Sequence, residues 1–143
     1  YNGAKSFFLE NFETHKPCKY IYDNIVINPY SQMLACCGLT VEYNKYLKLG
    51  EIGNGNSISD LYYNQFSDLF KFWLHVDGPA VIYDKVANIR KMEKKIFPHE
   101  CEYCIELMRD ESNHEVMRTL LKTELPGILF RHLIRNASLK INN

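Results

Sequence analysis

The chain has 143 residues, 46% of them hydrophobic and 24% charged, a size and balance that suit one domain with a buried core and exclude a disordered chain. Seventeen basic residues offset seventeen acidic ones, so the clustered positive charge that nucleic-acid backbones require is missing. No apolar run reaches the span of a bilayer and no secretory leader is visible, which points to a cytoplasmic protein without a membrane partner. The chain begins at Tyr1 rather than Met, as a fragment or a processed product would.

In chain order, residues 1–16 carry Phe7, Phe8, Leu9 and Phe12, a pattern too brief to separate strand from helix. Residues 19–35 predict a β-hairpin. Ile25, Val26 and Ile27 are β-branched or apolar, Asn28-Pro29-Tyr30-Ser31 is a turn cluster, and Met33-Leu34-Ala35 is the return strand. Residues 38–52 predict a loop with a short extended piece over 46–49. The run GNGNS at 53–57 is a break, its glycines permitting positive φ.

From Ser59 the period changes. Leu61, Tyr62, Phe66, Leu69, Phe70 and Trp73 recur at three- and four-residue steps, predicting one helix to His75 with Ser57 or Ser59 as N-cap and a stop at Asp77-Gly78. Pro79 suits the first turn of a second helix with the face Val81, Ile82, Val86 and Ile89, a basic end at Arg90, Lys91, Lys94 and Lys95, and a break at Phe97-Pro98. Residues 101–109 predict a short helix. Ser112 or Asn113 caps another to Lys122, Leu125-Pro126-Gly127 interrupts, and a last helix over 128–137 shows the face Leu129, Phe130, Leu133 and Ile134. The fold class is α+β: a small hairpin or sheet, with a thiolate site, over 1–52, then four to five helices over 57–143, in a single domain.

Five cysteines fall as Cys18, the pair Cys36-Cys37, and Cys101-Glu102-Tyr103-Cys104. An odd, clustered set argues against a secreted disulfide framework and for thiolate metal ligands in a reducing compartment. The hairpin turn brings Cys18 and Cys36-Cys37 to one open end. A CxxC on a first helical turn sets two thiols on one side, with the helix N-terminus lowering their pKa. The rival to iron–sulfur ligation is a structural zinc held by the same thiolates, which also favours four-coordinate sulfur and CxxC spacing. The blandest reading makes the cysteines small core hydrophobes.

On these residues the chain resembles the auxiliary-cluster region of radical S-adenosylmethionine enzymes, the SPASM domain or its shortened relative, the twitch domain. Cys18, INPYSQMLACC at 27–37, LKLGEI at 47–52, NSISDLYY at 56–63 and CEYC at 101–104 carry the likeness, which spans 17 to about 107. In that family the sulfurs bind an auxiliary [4Fe–4S] cluster, which implies Cys18, Cys36, Cys101 and Cys104 as ligands, with Cys37 the alternative to Cys36. Ser31 stands where the family's turn glycine would align, five residues before Cys36. No cysteine follows Cys104, so one cluster is implied, the twitch-like form. The CxxxCxxC loop of the family's catalytic barrel does not occur in the sequence. The resemblance therefore implies an accessory domain, not catalytic alone. Its partner would be a radical S-adenosylmethionine barrel with a peptide or protein substrate, and its role electron transfer, substrate positioning or fold stability. The alternative function is a zinc-stapled helical interaction module without redox activity.

The remaining polar residues are assigned bland roles. His15, His75, His99, His114 and His132 share no ligand spacing and are expected at the surface. The Tyr and Phe positions of residues 59–75 are expected in the core rather than as a stacking platform. Arg131 and Arg135 are expected on the solvated side of the last helix, and Asp110 and Glu111 show no acid–base pairing.

Overall fold

A computed structural model describes residues 14–38, 41, 44–53 and 55–141, with side chains as far as 138. The expectation for residues 1–13 lies outside the described residues. The fold is α+β, a three-stranded antiparallel sheet beside five α-helices. Strands β1 (Val26–Ile27) and β2 (Gln32–Leu34) form the expected hairpin, with Val26 opposite Leu34 and Ile27 opposite Met33. Its turn is made by side-chain chemistry. Asn28 Oδ1 accepts from the backbone N–H of Tyr30 and of Gln32, both at 3.0 Å, and Ser31 takes the left-handed conformation at φ 58°.

The piece expected to be extended over 46–49 is a third strand, β3 (Lys48–Glu51), pairing with β2 across an irregularity between Met33 and Leu34. A single 3₁₀ turn, Lys45–Leu47, leads into it. Gly53 and Gly55 both sit at positive φ in the break that follows.

The helix expected from Ser59 to His75 is two. Helix α1 (Ile58–Asn64) is capped by Ser57, whose Oγ accepts from Asp60 N at 3.0 Å. After a 3₁₀ turn, α2 (Leu69–Asp77) starts afresh, because Asp68 Oδ1 accepts from Phe70 N and Lys71 N. Gly78, at φ 82°, ends α2 and allows α3 (Pro79–Arg90) to begin at once with Pro79. Helix α3 stops at Lys91 in the left-handed region, seven residues before Pro98. Helix α4 (Glu100–Arg109) follows, with the His99 side chain accepting from Cys101 N.

The two helices expected on either side of Pro126 are one, α5 (Glu111–Ile141). A mid-helix proline removes a hydrogen bond and costs about 3 kcal/mol. Contacts on its C-terminal side oppose that loss: Ile128 is fully buried and Arg131 reaches Asp77. These contacts also invert the expected face of the segment. Leu129, Phe130, Leu133 and Ile134 are 46%, 64%, 65% and 50% exposed, whereas Ile128 enters the core. Arg131, expected in solvent, pairs with Asp77.

The core joins sheet to helices through Leu34, Trp73, Leu74, Ile82, Tyr83, Tyr103, Leu107 and Ile128, with Ile21 from the segment before the hairpin. Tyr83 and Tyr103 meet edge-on at 5.4 Å, and their hydroxyls accept from Lys95 N and Phe97 N. This ties the extended connection between α3 and α4 to the core. The start of α4, and with it the CxxC, is thereby fixed against the sheet end. Among the described residues no helix is long and apolar enough to cross a membrane.

Candidate functional site

All five cysteines lie among the described residues and none is in a disulfide. Cys18 is held by its own backbone, whose N–H donates to Leu74 O in α2 at 3.1 Å. The chain then turns tightly, so that the N–H groups of Tyr20 and Ile21 point at the Cys18 sulfur. Cys36 follows β2; its neighbour Ala35 donates to Leu47 O at 2.8 Å, and the Gly38 N–H points back at the Cys36 sulfur. Cys101 and Cys104 come from the first turn of α4.

These three segments bring four thiols within electrostatic reach of one another: a charge on Cys18 or Cys101 opposes ionisation of Cys36, and one on Cys36, Cys18 or Cys101 opposes that of Cys104. Burial pushes the Cys36 thiol up to about 11, with the Gly38 N–H opposing and the neighbouring sulfurs adding. Burial likewise raises Cys104, again reinforced by the three other sulfurs. Cys18 is raised by burial, lowered in part by its two backbone N–H donors, and raised again by Glu100 and Cys37. Packing four such sulfurs in one place disfavours thiolates unless a cation is held between them.

Cys37 is exposed, and the charge it adds is felt by Cys18 and Cys36. Cys36, only 7% exposed, is the member of the pair that faces the CxxC. Gly38 shows how near that approach is. A Cβ at Gly38 would lie 3.3 Å from Cys101 Sγ and 3.5 Å from Cys36 Sγ, so a side chain there would crowd Cys101 and touch Cys36. Asn44, buried before β3, donates from Nδ2 to Cys104 Sγ at 3.9 Å. Hydrogen bonds of this kind oppose in part the rise that burial causes, and donors to sulfur tune a bound centre. Among the described residues, no group of three or more His, Cys, Asp or Glu side chains is drawn together as tightly as a bound metal ion would need.

Several other residues depart from expectation. His114 is buried and bonds through Nδ1 to Tyr46 Oη at 2.7 Å, and His75 is largely covered. His99 is exposed, as expected, and also caps a helix. Asp110 forms an ion pair, accepting from the Arg90 guanidinium at 2.6 Å, which is no acid–base arrangement. Tyr63 and Phe66 of the supposed core face are 68% and 50% exposed. Asn44 was invisible in the sequence as a site residue. Its only local signal is that it caps the turn before β3, its Oδ1 accepting from Tyr46 N. In comparisons with family models, with curated proteins and with solved structures, nothing matches this chain.

Proposed function

We propose that this chain binds one [4Fe–4S] cluster through Cys18, Cys36, Cys101 and Cys104, as the auxiliary domain of a radical S-adenosylmethionine enzyme that modifies a peptide or protein. The observation that carries the reading is the approach of four half-buried or buried thiols from three distant segments, with Cys36 Sγ and Cys101 Sγ both against Gly38 and each thiol near enough to oppose the ionisation of the next. The backbone N–H groups of Tyr20, Ile21 and Gly38 and the amide of Asn44 are the donors expected around cluster sulfurs. Gly38 leaves room beside Cys36 and Cys101 that a side chain would take up. A zinc ion would hold every sulfur at about 2.3 Å, whereas a four-iron cluster places its own iron and sulfide atoms between the thiolates and fits a wider set.

Such a cluster supplies one-electron chemistry or a rigid staple between sheet and α4. The chain's own residues would hold it, with Cys36 buried and Cys104 half-buried, and would donate to its sulfurs. No CxxxCxxC occurs in these 143 residues, so the reading leaves cleavage of S-adenosylmethionine to a partner barrel. The test is anaerobic reconstitution with iron and sulfide, followed by metal and sulfide analysis and an absorbance spectrum. Four iron and four sulfide per chain, with a broad band near 400 nm, support the reading. One zinc without sulfide replaces it with a zinc-stapled helical interaction module.

A further inference from the structure

A second concave site lies on the other side of the Cys18 turn and uses none of the cysteines. Its volume is about 520 Å³, within the range of small-molecule sites. Its walls are aromatic: Tyr22, Tyr62, Phe66 and Phe72, closed by the imidazoles of His75 and His132, with Asp23 on its lining. The rings make a continuous series. Tyr22 stacks on Phe66 at 4.7 Å, Tyr22 meets His75 at 5.3 Å, His75 meets His132 at 6.2 Å, and Phe72 meets His132 at 5.0 Å.

The site is held in place at a cost. Tyr22 is a bulky residue at φ 74°, a conformation such side chains rarely adopt. Its carbonyl accepts from Tyr62 Oη at 3.1 Å, which locks the turn to α1. His132 is occupied by Asn136 at 3.0 Å, but His75 Nδ1 is buried with no hydrogen-bond partner.

Charge is arranged along the same series. At the Tyr22 end, burial pushes the phenol up to about 12 and Asp68 adds to the effect, with Asp23 next to it in sequence. At the His75 end, burial and then the Arg135 charge hold the imidazole low and therefore neutral at pH 7, with Asp23 opposing. Arg135 itself lies against this end, its guanidinium donating to His75 O at 3.4 Å. A simple organic cation would suit the acidic end and the ring faces but be repelled by Arg135. A simple carboxylate would meet the reverse difficulty. A zwitterion satisfies both.

We propose that this cleft binds a free α-amino acid with an aromatic side chain, its ammonium group beside Asp23 and its carboxylate on Arg135. The side chain lies against the aromatic walls, which account for most of the lining.

The test is titration of the full chain with L-phenylalanine by calorimetry and ¹H–¹⁵N NMR, with phenethylamine, 3-phenylpropionate and L-alanine as comparators. Saturable binding of L-phenylalanine is expected, with each comparator weaker by about tenfold or more, since each lacks one charged or aromatic contact. Asp23 and Arg135 are both exposed, so their variants keep the fold. Asp23→Asn weakens L-phenylalanine and phenethylamine but not 3-phenylpropionate. Arg135→Gln weakens L-phenylalanine and 3-phenylpropionate but not phenethylamine. Absence of saturation up to about 10 mM, equal binding of any comparator, or indifference to both variants overturns the proposal. The assay is read before and after iron loading, so its failure leaves the thiol reading standing, and failure of cluster assembly leaves this one testable.

Discussion

Asn44 holds Cys104 with one end of its amide and the chain before β3 with the other: Nδ2 donates to Cys104 Sγ at 3.9 Å and Oδ1 accepts from Tyr46 N at 3.0 Å. Residue 44 thus couples a sulfur of α4 to the sheet, 60 positions earlier in the chain. Asn44→Ala removes both bonds. Loss of a neutral cap costs about 1 kcal/mol, read as a lower urea midpoint. Loss of the N–H···S donor makes a bound cluster harder to reduce, read as a more negative midpoint potential. Asn44→Ser keeps a capping oxygen without the amide or an added charge and restores most of the stability but not the potential, which separates the two effects.

Removal of single thiols ranks the ligands. Cys101→Ala and Cys104→Ala are expected to abolish the iron and sulfide content of the reconstituted chain, because each takes one of the four facing sulfurs. Cys37→Ala is expected to leave it intact, since that thiol is exposed and flanks the group. Gly38→Ala keeps all five sulfurs but sets a methyl 3.3 Å from Cys101 Sγ, so cluster content falls while the metal-free chain stays folded by circular dichroism. A Gly38→Ala protein that loads fully would show that the room beside Cys36 and Cys101 is not part of the site.

The sole tryptophan reports on a buried carboxylate. Trp73 Nε1 donates to Asp77 Oδ2 at 2.9 Å, and Arg131 grips the same carboxylate with Nε at 2.7 Å and a terminal nitrogen at 2.6 Å. Asp77→Ala strands the fully buried indole N–H and is expected to cost about 2–3 kcal/mol. Arg131→Ala is expected to cost about 1 kcal/mol, because its side chain is nearly half exposed and water can replace it. Urea unfolding followed by Trp73 fluorescence measures both, and a larger loss in Arg131→Ala would reverse the assigned order.

Acid titration isolates the link between α3 and α5. The Arg90 guanidinium bonds the Asp110 carboxylate, and Ser112 N–H adds to it, holding its pKa down to about 2. A carboxyl depressed in the folded state stabilises it above the unfolded pKa of about 4, and that contribution is lost as pH falls from there toward 2. The wild-type melting temperature is therefore expected to fall more steeply over that window than that of Asp110→Asn. Parallel curves would show that the pair contributes nothing.

Local chemistry made part of this fold legible. The hairpin turn was readable because Asn28 and Ser31 are turn formers whose side chain and left-handed backbone make it, and the short helix carrying Cys101 and Cys104 because Pro98 precedes it. The thiols could be grouped because their chemistry is distinctive, and only the resemblance sets Cys36 ahead of Cys37, through Ser31 five residues before it; the local pattern carries no such preference. What failed was tertiary. Asp68 restarts a helix that periodicity ran through, and Pro126 interrupts nothing because Ile128 and Arg131 are anchored on residues more than fifty positions away. The exposed face of Leu129, Phe130, Leu133 and Ile134 has the same cause, since the rotation of α5 follows Asp77 and not its own apolar stripe.

The junction of α2 and α3 carries the tightest constraint on the Cys18 segment. Gly78 sits at φ 82°, and a Cβ there would lie 1.8 Å from Lys16 O and 2.8 Å from its carbonyl carbon. The close approach passes backbone against backbone, so no rotamer change relieves it. The segment pressed on Gly78 leads two residues later into Cys18, whose N–H bonds Leu74 O one turn back along α2. Gly78→Ala must therefore push residues 16–18 away, beyond the usual penalty of about 1 kcal/mol for a side chain at positive φ. A stability loss of about 3 kcal/mol or more is expected, together with reduced cluster retention as Cys18 leaves the other sulfurs. Wild-type stability in Gly78→Ala, measured by urea unfolding, would mean that the Cys18 segment is not seated on the helix junction.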